Sequence, residues 1–230
     1  MARITTDRVW ERKTTAAVLV GSFVFLGPLT ARAGILAEEI SATVERVLTV
    51  IKKADLGKNE RHAQLLQMIM PRFDFAEMAK RSLGPHWKER TPDEQRKFVR
   101  VFADVLADSY LDKLETYIGD KFVYVRETQE SDFSEVATKI IGKNGGQFAI
   151  NYKLHWSDGD WKVYDVIIEN VSLVNNYRSQ FNRILTTAPF DELLNILEQR
   201  KGRELSSERL PLNSLISYWI ISAASAARRQ

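Results

Sequence analysis

Side chains that could carry out acid–base or metal chemistry are few and scattered in this 230-residue chain. Its three histidines, His62, His86 and His155, fall in three different predicted elements and lack the spacing of a metal site. The sequence has no cysteine, and neither a glycine-rich phosphate loop nor a G-x-S-x-G nucleophile motif is found. Asp74 and Asp165 remain as the best candidates for a general acid or base.

Each aspartate also has a structural interpretation. Asp74 precedes a short helical pattern and fits the N-cap position, where a carboxylate accepts a backbone N–H. Asp165 lies in a predicted strand on the same face as Trp161 and Val163. In that position Asp165 is either an isolated buried carboxylate or the partner of a cation such as Arg178. We favour the paired interpretation and predict no catalytic residue, no metal and no cofactor.

The elements that position these residues are helical in the first half of the chain. Apolar residues recur at three- and four-residue steps over residues 36–51 and 65–70, which predicts two helices. Residues 91–94 combine a capping box with proline at the first helical position and open the longest helix. Its apolar stripe runs over residues 98–117, and Gly119 ends it.

From residue 121 the apolar period changes to two. Residues 121–127, 133–142, 147–156 and 161–171 therefore predict an antiparallel meander, with turn signals on either side of the third strand. Helices are predicted again over residues 173–186 and 190–200. Since no internal repeat or low-complexity linker separates the two kinds of element, the sequence predicts one α+β fold, with a helical lobe packed on a twisted antiparallel sheet.

The N-terminus predicts export. Four basic residues within the first 13 precede an apolar run over residues 16–29, and Ala31-Arg32-Ala33 has the small-x-small pattern of a cleavage site. The run is shorter than the ~20 residues that a membrane-spanning helix needs. Residues 1–33 are therefore predicted to be a signal peptide that is cleaved after Ala33, with a retained N-terminal anchor as the alternative, and the mature chain is predicted to lie outside the inner membrane.

Removing this segment also removes the net positive charge. The full chain has 33 basic and 30 acidic residues, and residues 1–33 hold five and two of them, so 28 of each remain. A nucleic-acid-binding protein needs a basic surface that displaces counterions. The neutral mature chain therefore argues against a nucleic-acid partner.

Beyond Gly202 the composition changes once more. Residues 210–227 are apolar and rich in serine. This tail, residues 203–230, is either a helix that packs on the body or on a partner, a membrane anchor, or a disordered terminus. An adaptor protein that works through the tail is accordingly one alternative function.

The inward-facing apolar side chains either fill one another's gaps or enclose a cavity. A curved sheet that folds around a helix favours a cone-shaped pocket with a few polar groups at its mouth. Arg178 follows Tyr177 in the predicted helix after the sheet and would lie at the rim of such a pocket. There it would hold a phosphate or carboxylate, or pair with a neighbouring acidic residue.

Five motifs in order carry a family resemblance. They are residues 73–75 (FDF), 83–87 (LGPHW), 91–96 (TPDEQR), 161–166 (WKVYDV) and 171–181 (VSLVNNYRSQF). Together they resemble the toluene-tolerance family of periplasmic lipid carriers, the MlaC family, over about residues 36–201.

The resemblance implies a function as well as a fold. The family's NTF2-like sheet encloses a cavity for phospholipid tails. Its members shuttle lipid between an outer-membrane lipoprotein complex and an inner-membrane ABC transporter that bears an MCE-domain protein. We therefore expect residues 34–202 to be a lipid-binding domain of a periplasmic carrier. One branch of the family is associated with hopanoid synthesis, so a hopanoid-type lipid is an alternative cargo, and an NTF2-like enzyme with Asp165 as base is an alternative activity.

One position departs from the family pattern. Asn170 stands where members commonly have glycine, but asparagine tolerates a left-handed backbone, so the turn should survive. We expect aspartate at Phe102 or at Ile168 to abolish lipid retention. The residues predicted to contact lipid, with Arg178 near the opening, are Phe98, Phe102, Val105, Tyr110, Tyr152, Leu154, Val166, Ile168, Tyr177, Arg178 and Phe181.

Overall fold

The computed structural model describes residues 35–53, 55–114, 121–143 and 145–200. Within them the α+β prediction is confirmed, since helices form both ends of the described chain and the sheet lies between them. Two 3₁₀ helices, Met70–Arg72 and Gly84–Glu89, link the first helices. The elements are α1 (Ile35–Ile51), α2 (Lys58–Ile69), α3 (Phe75–Leu83), α4 (Pro92–Leu114), β1 (Lys121–Glu130), β2 (Phe133–Ile141), β3 (Gln147–Ser157), β4 (Asp160–Ile168), β5 (Val171–Ser172), α5 (Leu173–Leu185) and α6 (Phe190–Arg200).

The strands form one sheet in the order β1-β2-β3-β4-β5, with every neighbouring pair antiparallel. This is the predicted meander, except that the fourth predicted strand, residues 161–171, is broken by the turn at Glu169 and Asn170, so β4 ends at Ile168 and Val171–Ser172 form a separate strand. A β-bulge interrupts β4, because Lys153 pairs with Asp165 whereas the next residue, Leu154, pairs with Val163. Tyr164 is thus an extra residue, and it reverses the alternation of side chains along the strand.

The bulge corrects one prediction. Asp165 was expected on the same face as Trp161 and Val163, but the extra residue puts it on the opposite face. Val166 and Ile168 share the face of Trp161 and Val163 instead, and all four line the same cavity.

The predicted helix starts are confirmed. Asp74 caps α3, since its Oδ1 accepts the backbone N–H of Glu77 at 2.8 Å. At α4 the Thr91 N–H donates to Glu94 Oε2 at 2.7 Å, and the Glu94 N–H donates to Thr91 Oγ1 at 3.3 Å. These reciprocal bonds satisfy backbone donors that have no partner within the helix. Gly84, with φ of 58°, ends α3 in a backbone conformation that favours glycine.

The turn before α5 also behaves as expected. Glu169 and Asn170 both have positive φ, at 48° and 67°, so asparagine does adopt the left-handed conformation there. Ser172 then caps α5 by accepting the N–H of Asn175 at 3.0 Å.

An aromatic core holds the later helices together. We use this name for the buried rings of Phe98 and Phe102 on α4, Tyr177 and Phe181 on α5, and Phe190 at the start of α6. Their centroids lie 5.1 to 6.0 Å apart, and several pairs meet edge to face. Such pairs add to the free energy gained from burying the rings.

The predicted signal peptide, the predicted end of the longest helix at Gly119 and the tail after Gly202 lie outside the described residues. In the part of the chain that the structure describes, no helix combines the length and the hydropathy needed to cross a bilayer.

Candidate functional site

An apolar cavity of about 290 Å³ lies between the first helices and the sheet. Its helical wall comes from α1, α2, α3 and α4 together with the 3₁₀ helix Met70–Arg72, and its floor from β1 to β4. Nearly all of the residues around it are aliphatic or aromatic. The space therefore suits an apolar ligand.

Helix α1 forms the longest stretch of wall. Leu36, Ile40, Val44, Val47 and Ile51 recur at three- and four-residue steps, so one face of the helix meets the cavity. The N-terminal end of α1 is attached to the sheet, because Leu36 is buried in a cluster with residues of β2, β3 and β4.

The floor is made of paired residues on one face of the sheet. Tyr152 lies opposite Val166, and Ile150 lies opposite Ile168, so these four side chains form two adjacent rows across β3 and β4. All four are only partly buried, although they lie on inner strands. They face open space instead of close-packed side chains.

One ion pair lies at the edge of the cavity. Glu39 on α1 and Arg72 in the 3₁₀ helix are the only charged residues among the described residues around the cavity, and Arg72 Nη1 lies 3.4 Å from Glu39 Oε2. Their side chains are 43% and 35% exposed, so the pair also reaches solvent. We call Glu39 and Arg72 the rim pair.

Neighbouring bonds hold the 3₁₀ helix beside the sheet. Lys162 Nζ donates to the carbonyl oxygen of Pro71 and to Asp160 Oδ2, both at 2.8 Å. The hydrogen bond from Lys162 lowers the pKa of Asp160, and the charge of Arg72 contributes to the same direction. Lys162 is therefore engaged at both contacts, whereas the Arg72 side chain stays 35% exposed and pairs loosely with Glu39.

Five of the predicted contact residues line this cavity. Tyr110 comes from α4, Tyr152 and Leu154 from β3, and Val166 and Ile168 from β4. Burial raises the pKa of the Tyr110 hydroxyl well above its usual range. A tyrosine is already neutral at pH 7, and the raised pKa keeps this part of the wall uncharged at more alkaline pH as well.

Five other predicted contact residues lie elsewhere. Phe98, Phe102, Val105, Tyr177 and Phe181 are at most 2% exposed and pack on one another and on α6, and the cavity does not reach them. The space beside these rings is already filled. For this reason we now expect aspartate at Phe102 to unfold the protein, and not only to release a ligand.

Arg178 is also outside the cavity. Its guanidinium lies over Gly84, where a Cβ would come within 2.8 Å of Arg178 Nε. The absence of a side chain at Gly84 is what lets α5 bring this arginine so close to the end of α3. The arginine that lines the cavity is Arg72.

Several wall residues were not predicted. Ile140 and Ile150 on the sheet, Phe73 before α3, and both residues of the rim pair belong to this group. The helical period of α1 was recognisable in the sequence, but nothing in that period tells whether the apolar face meets packed side chains or open space.

The candidate base, Asp165, has structural partners. It is 6% exposed, and it accepts hydrogen bonds from the Ser172 hydroxyl at 2.6 Å and from the Val174 N–H at 3.1 Å. The suggested pairing with Arg178 is therefore replaced by bonds that join β4 to the start of α5. Asp165 does not line the cavity, where Glu39 is the only carboxylate among the described residues.

Two of the histidines contact polar side chains on other elements. His155 Nε2 lies 2.9 Å from Asp74 Oδ2, which links β3 to the cap of α3. His86 Nε2 lies 3.1 Å from Asn182 Oδ1. Within the described ranges, no group of three or more histidine, cysteine, aspartate or glutamate residues could hold a metal ion.

Comparison with known proteins gives a family match. The family model described as MlaC protein matches residues 41–199. A relative from Haemophilus influenzae, the intermembrane phospholipid transport system binding protein MlaC, is 23% identical over 143 residues, covering 60% of this chain and 66% of the relative. The toluene tolerance protein ttg2D of Pseudomonas putida is 26% identical over 95 residues, covering 41% of this chain and 44% of the relative. The chain thus spans less than two thirds of the length of either relative.

A solved structure has the same arrangement of elements. The phospholipid-binding protein from Ralstonia solanacearum, determined in complex with a phospholipid, superposes with a TM-score of 0.65 at 27% identity. The match covers 72% of this chain and 96% of that protein.

Proposed function

Because the chain belongs to the MlaC family, we propose that it is a periplasmic carrier that holds the acyl chains of a phospholipid in the cavity beneath α1. The observation that carries this proposal is the cavity itself, whose described lining is aliphatic or aromatic apart from Thr43 and one ion pair at the rim. The names of the Haemophilus and Ralstonia proteins, which refer to phospholipid transport and phospholipid binding, support the same cargo.

The energetics of lipid transfer explain why such a cavity is needed. Two acyl chains contain roughly 28 methylene groups, so exposing them to water costs on the order of 20 kcal/mol at about 0.8 kcal/mol each. A carrier must replace nearly all of the bilayer's dry surroundings. The aliphatic floor around Ile150 and Ile168, together with the apolar face of α1, supplies such surroundings without buried charge.

The carrier would exchange lipid with membrane complexes at each end of its path. We propose an outer-membrane lipoprotein complex and an inner-membrane ABC transporter with an MCE-domain protein as these partners, with export through the predicted signal peptide. Hopanoid-type lipid is the alternative cargo, since an apolar cavity also accepts a rigid hydrocarbon skeleton.

The test is to identify what the protein carries. The full-length chain would be produced in a host that exports it and purified without detergent, and its organic extract would be analysed by mass spectrometry. We expect about one equivalent of phospholipid per cavity. A folded protein without any lipid would contradict the proposal, and a bound hopanoid would change the cargo.

A charge in the floor should empty the cavity. In Ile168→Asp the carboxylate would have to be desolvated against the acyl chains, so we expect loss of bound lipid from a protein that remains folded. Ile167→Asp is the matched control, because Ile167 is adjacent to Ile168 but lies on the opposite face of β4 and does not line the cavity. Circular dichroism and thermal melting check that both variants fold. Equal lipid content in the two variants would mean that this face does not hold lipid.

A further inference from the structure

We propose that the rim pair selects a zwitterionic phospholipid head group, in which Arg72 binds the phosphate and Glu39 binds the ammonium group. This inference rests on the proposed carrier function and goes beyond it by assigning the class of head group and the two residues that recognise it.

The position of the pair follows from the distribution of charge around the cavity. Glu39 and Arg72 line the cavity and are also 43% and 35% exposed, so they connect the apolar space with solvent. A lipid whose tails fill the apolar part must leave its charged head where charge is tolerated. Among the described lining residues, only this pair offers charged partners.

The ion pair can open at small cost. The distance of 3.4 Å between Arg72 Nη1 and Glu39 Oε2 exceeds the ~2.7–2.9 Å of a strong charge-assisted hydrogen bond. An exposed pair of this kind contributes only about 0–1 kcal/mol. The residues also belong to separate segments, α1 and the 3₁₀ helix, so a head group can enter between the side chains.

The surroundings leave Arg72 as the available cation. Lys162 is bonded to Asp160 and to the carbonyl of Pro71, and these contacts fix the backbone next to Arg72. Asp160 also lies close enough to Arg72 for its pKa to be affected by the guanidinium charge. Since Asp160 is already paired with Lys162, Arg72 and Glu39 are the charges left to interact with a head group, and a phosphate without an ammonium group would bring an uncompensated negative charge close to Glu39.

These charges predict a ranking of lipids. A zwitterionic head group offers its phosphate to Arg72 and its ammonium to Glu39, and only two carbon atoms separate the ethanolamine nitrogen from the phosphate ester oxygen. A phosphatidylglycerol head offers a phosphate but gives Glu39 no cation. Phosphatidylethanolamine should therefore be preferred over phosphatidylglycerol with the same acyl chains.

Competition between the two lipids tests this ranking. The full-length protein would be delipidated and incubated with vesicles that contain equimolar phosphatidylethanolamine and phosphatidylglycerol. The protein would then be reisolated, and its bound lipids would be quantified by mass spectrometry. We expect about fivefold enrichment of the zwitterionic lipid, the ratio that matches the upper range for one exposed ion pair.

The two rim variants should change this ratio differently. Glu39→Gln removes the ammonium partner, so the enrichment should fall to about one while lipid is still taken up. Arg72→Gln leaves Glu39 facing the phosphate, so total uptake should fall while the preference for the zwitterionic lipid remains. Lys97→Gln and Glu198→Gln are matched controls, since that pair also joins two helices with half-exposed side chains, at 3.1 Å, away from the cavity.

The outcomes separate this inference from the carrier function. Lipid uptake without enrichment in the unmodified protein would overturn the selection of head group and leave the carrier function intact. The same would follow if both rim variants shifted the ratio alike, because a pair that only braces α1 is broken equally by either change. Failure of the unmodified protein to take up any lipid would overturn both.

Discussion

The aromatic core and the cavity are built from the same kinds of residue but differ in what fills the space between them. In the aromatic core, α4, α5 and α6 press their rings together until side chains such as Phe102 and Tyr177 have almost no exposed surface. Around the cavity, the apolar face of α1 lines open space, and floor residues such as Ile150 and Ile168 stay half-buried. Apolar composition is thus shared by the part that stabilises the fold and the part that is available to a ligand.

Buried aliphatic side chains join the two regions. Met78 on α3, Leu106 on α4 and Leu173 at the start of α5 pack in the buried cluster that contains the aromatic core, and they also form part of the cavity wall. The wall is therefore backed by close packing, which explains how a cavity can stay open without loss of the fold. The same change of side-chain volume should therefore cost much more stability in the aromatic core than around the cavity.

The largest contrast is expected for truncation to alanine. Phe102 is fully buried and contacts the rings of Phe98, Tyr177 and Phe181, so Phe102→Ala should lower the free energy of unfolding by about 3–5 kcal/mol. Ile168→Ala should cost roughly 1 kcal/mol, because its side chain already faces open space and leaves little new cavity behind. Urea unfolding of the delipidated variants measures both values. Equal losses would show that the cavity is closed in solution.

A second contrast comes from alkaline pH. Burial raises the pKa of Tyr177 to about 12, whereas a tyrosine in the unfolded chain has its ordinary pKa of about 10. Because the folded state keeps its proton longer, stability should fall as pH rises from 10 towards 12, by roughly 2–3 kcal/mol for this group. Urea midpoints at pH 9 and at pH 11 measure about half of this fall, roughly 1.4 kcal/mol. In Tyr177→Phe the fall in stability between these pH values should be smaller, because one ionising group is removed. A fall as large as in the unmodified protein would assign the effect to other groups.

Local patterns predicted most of the fold. The caps at Asp74 and Thr91 and the change of period at residue 121 depend on a few neighbouring residues, so the sequence is sufficient to find them. The bulge at Tyr164 was missed because every residue around it favours a strand, and no local signal marks one extra residue. That single insertion decides which face Asp165 takes, and therefore its role.

The candidate site was predicted only in part, for a different physical reason. Tyr152 and Phe102 both belong to regular apolar stripes, yet one faces a cavity and the other a filled core. Whether the space between two apolar faces is filled depends on the distance between their backbones. The spacing of apolar residues along the sequence does not show that distance. Likewise, Glu39 and Arg72 are 33 positions apart, so their contact exists only in the folded chain.

The smallest expected effect on stability gives the sharpest test of the comparison, because the same substitution is made in both regions. Val105→Phe inserts a ring into the aromatic core, where Val105 is 2% exposed, and overpacking should cost about 1–3 kcal/mol. Val166→Phe places the same ring in the cavity, where about 290 Å³ is open, so the free energy of unfolding should change by less than about 0.5 kcal/mol. The ring occupies space that acyl chains need, and lipid content after detergent-free purification should fall in Val166→Phe alone. A stability loss of equal size in both variants would mean that the space under α1 is as tightly filled as the aromatic core, and unchanged lipid content in Val166→Phe would place the cargo elsewhere.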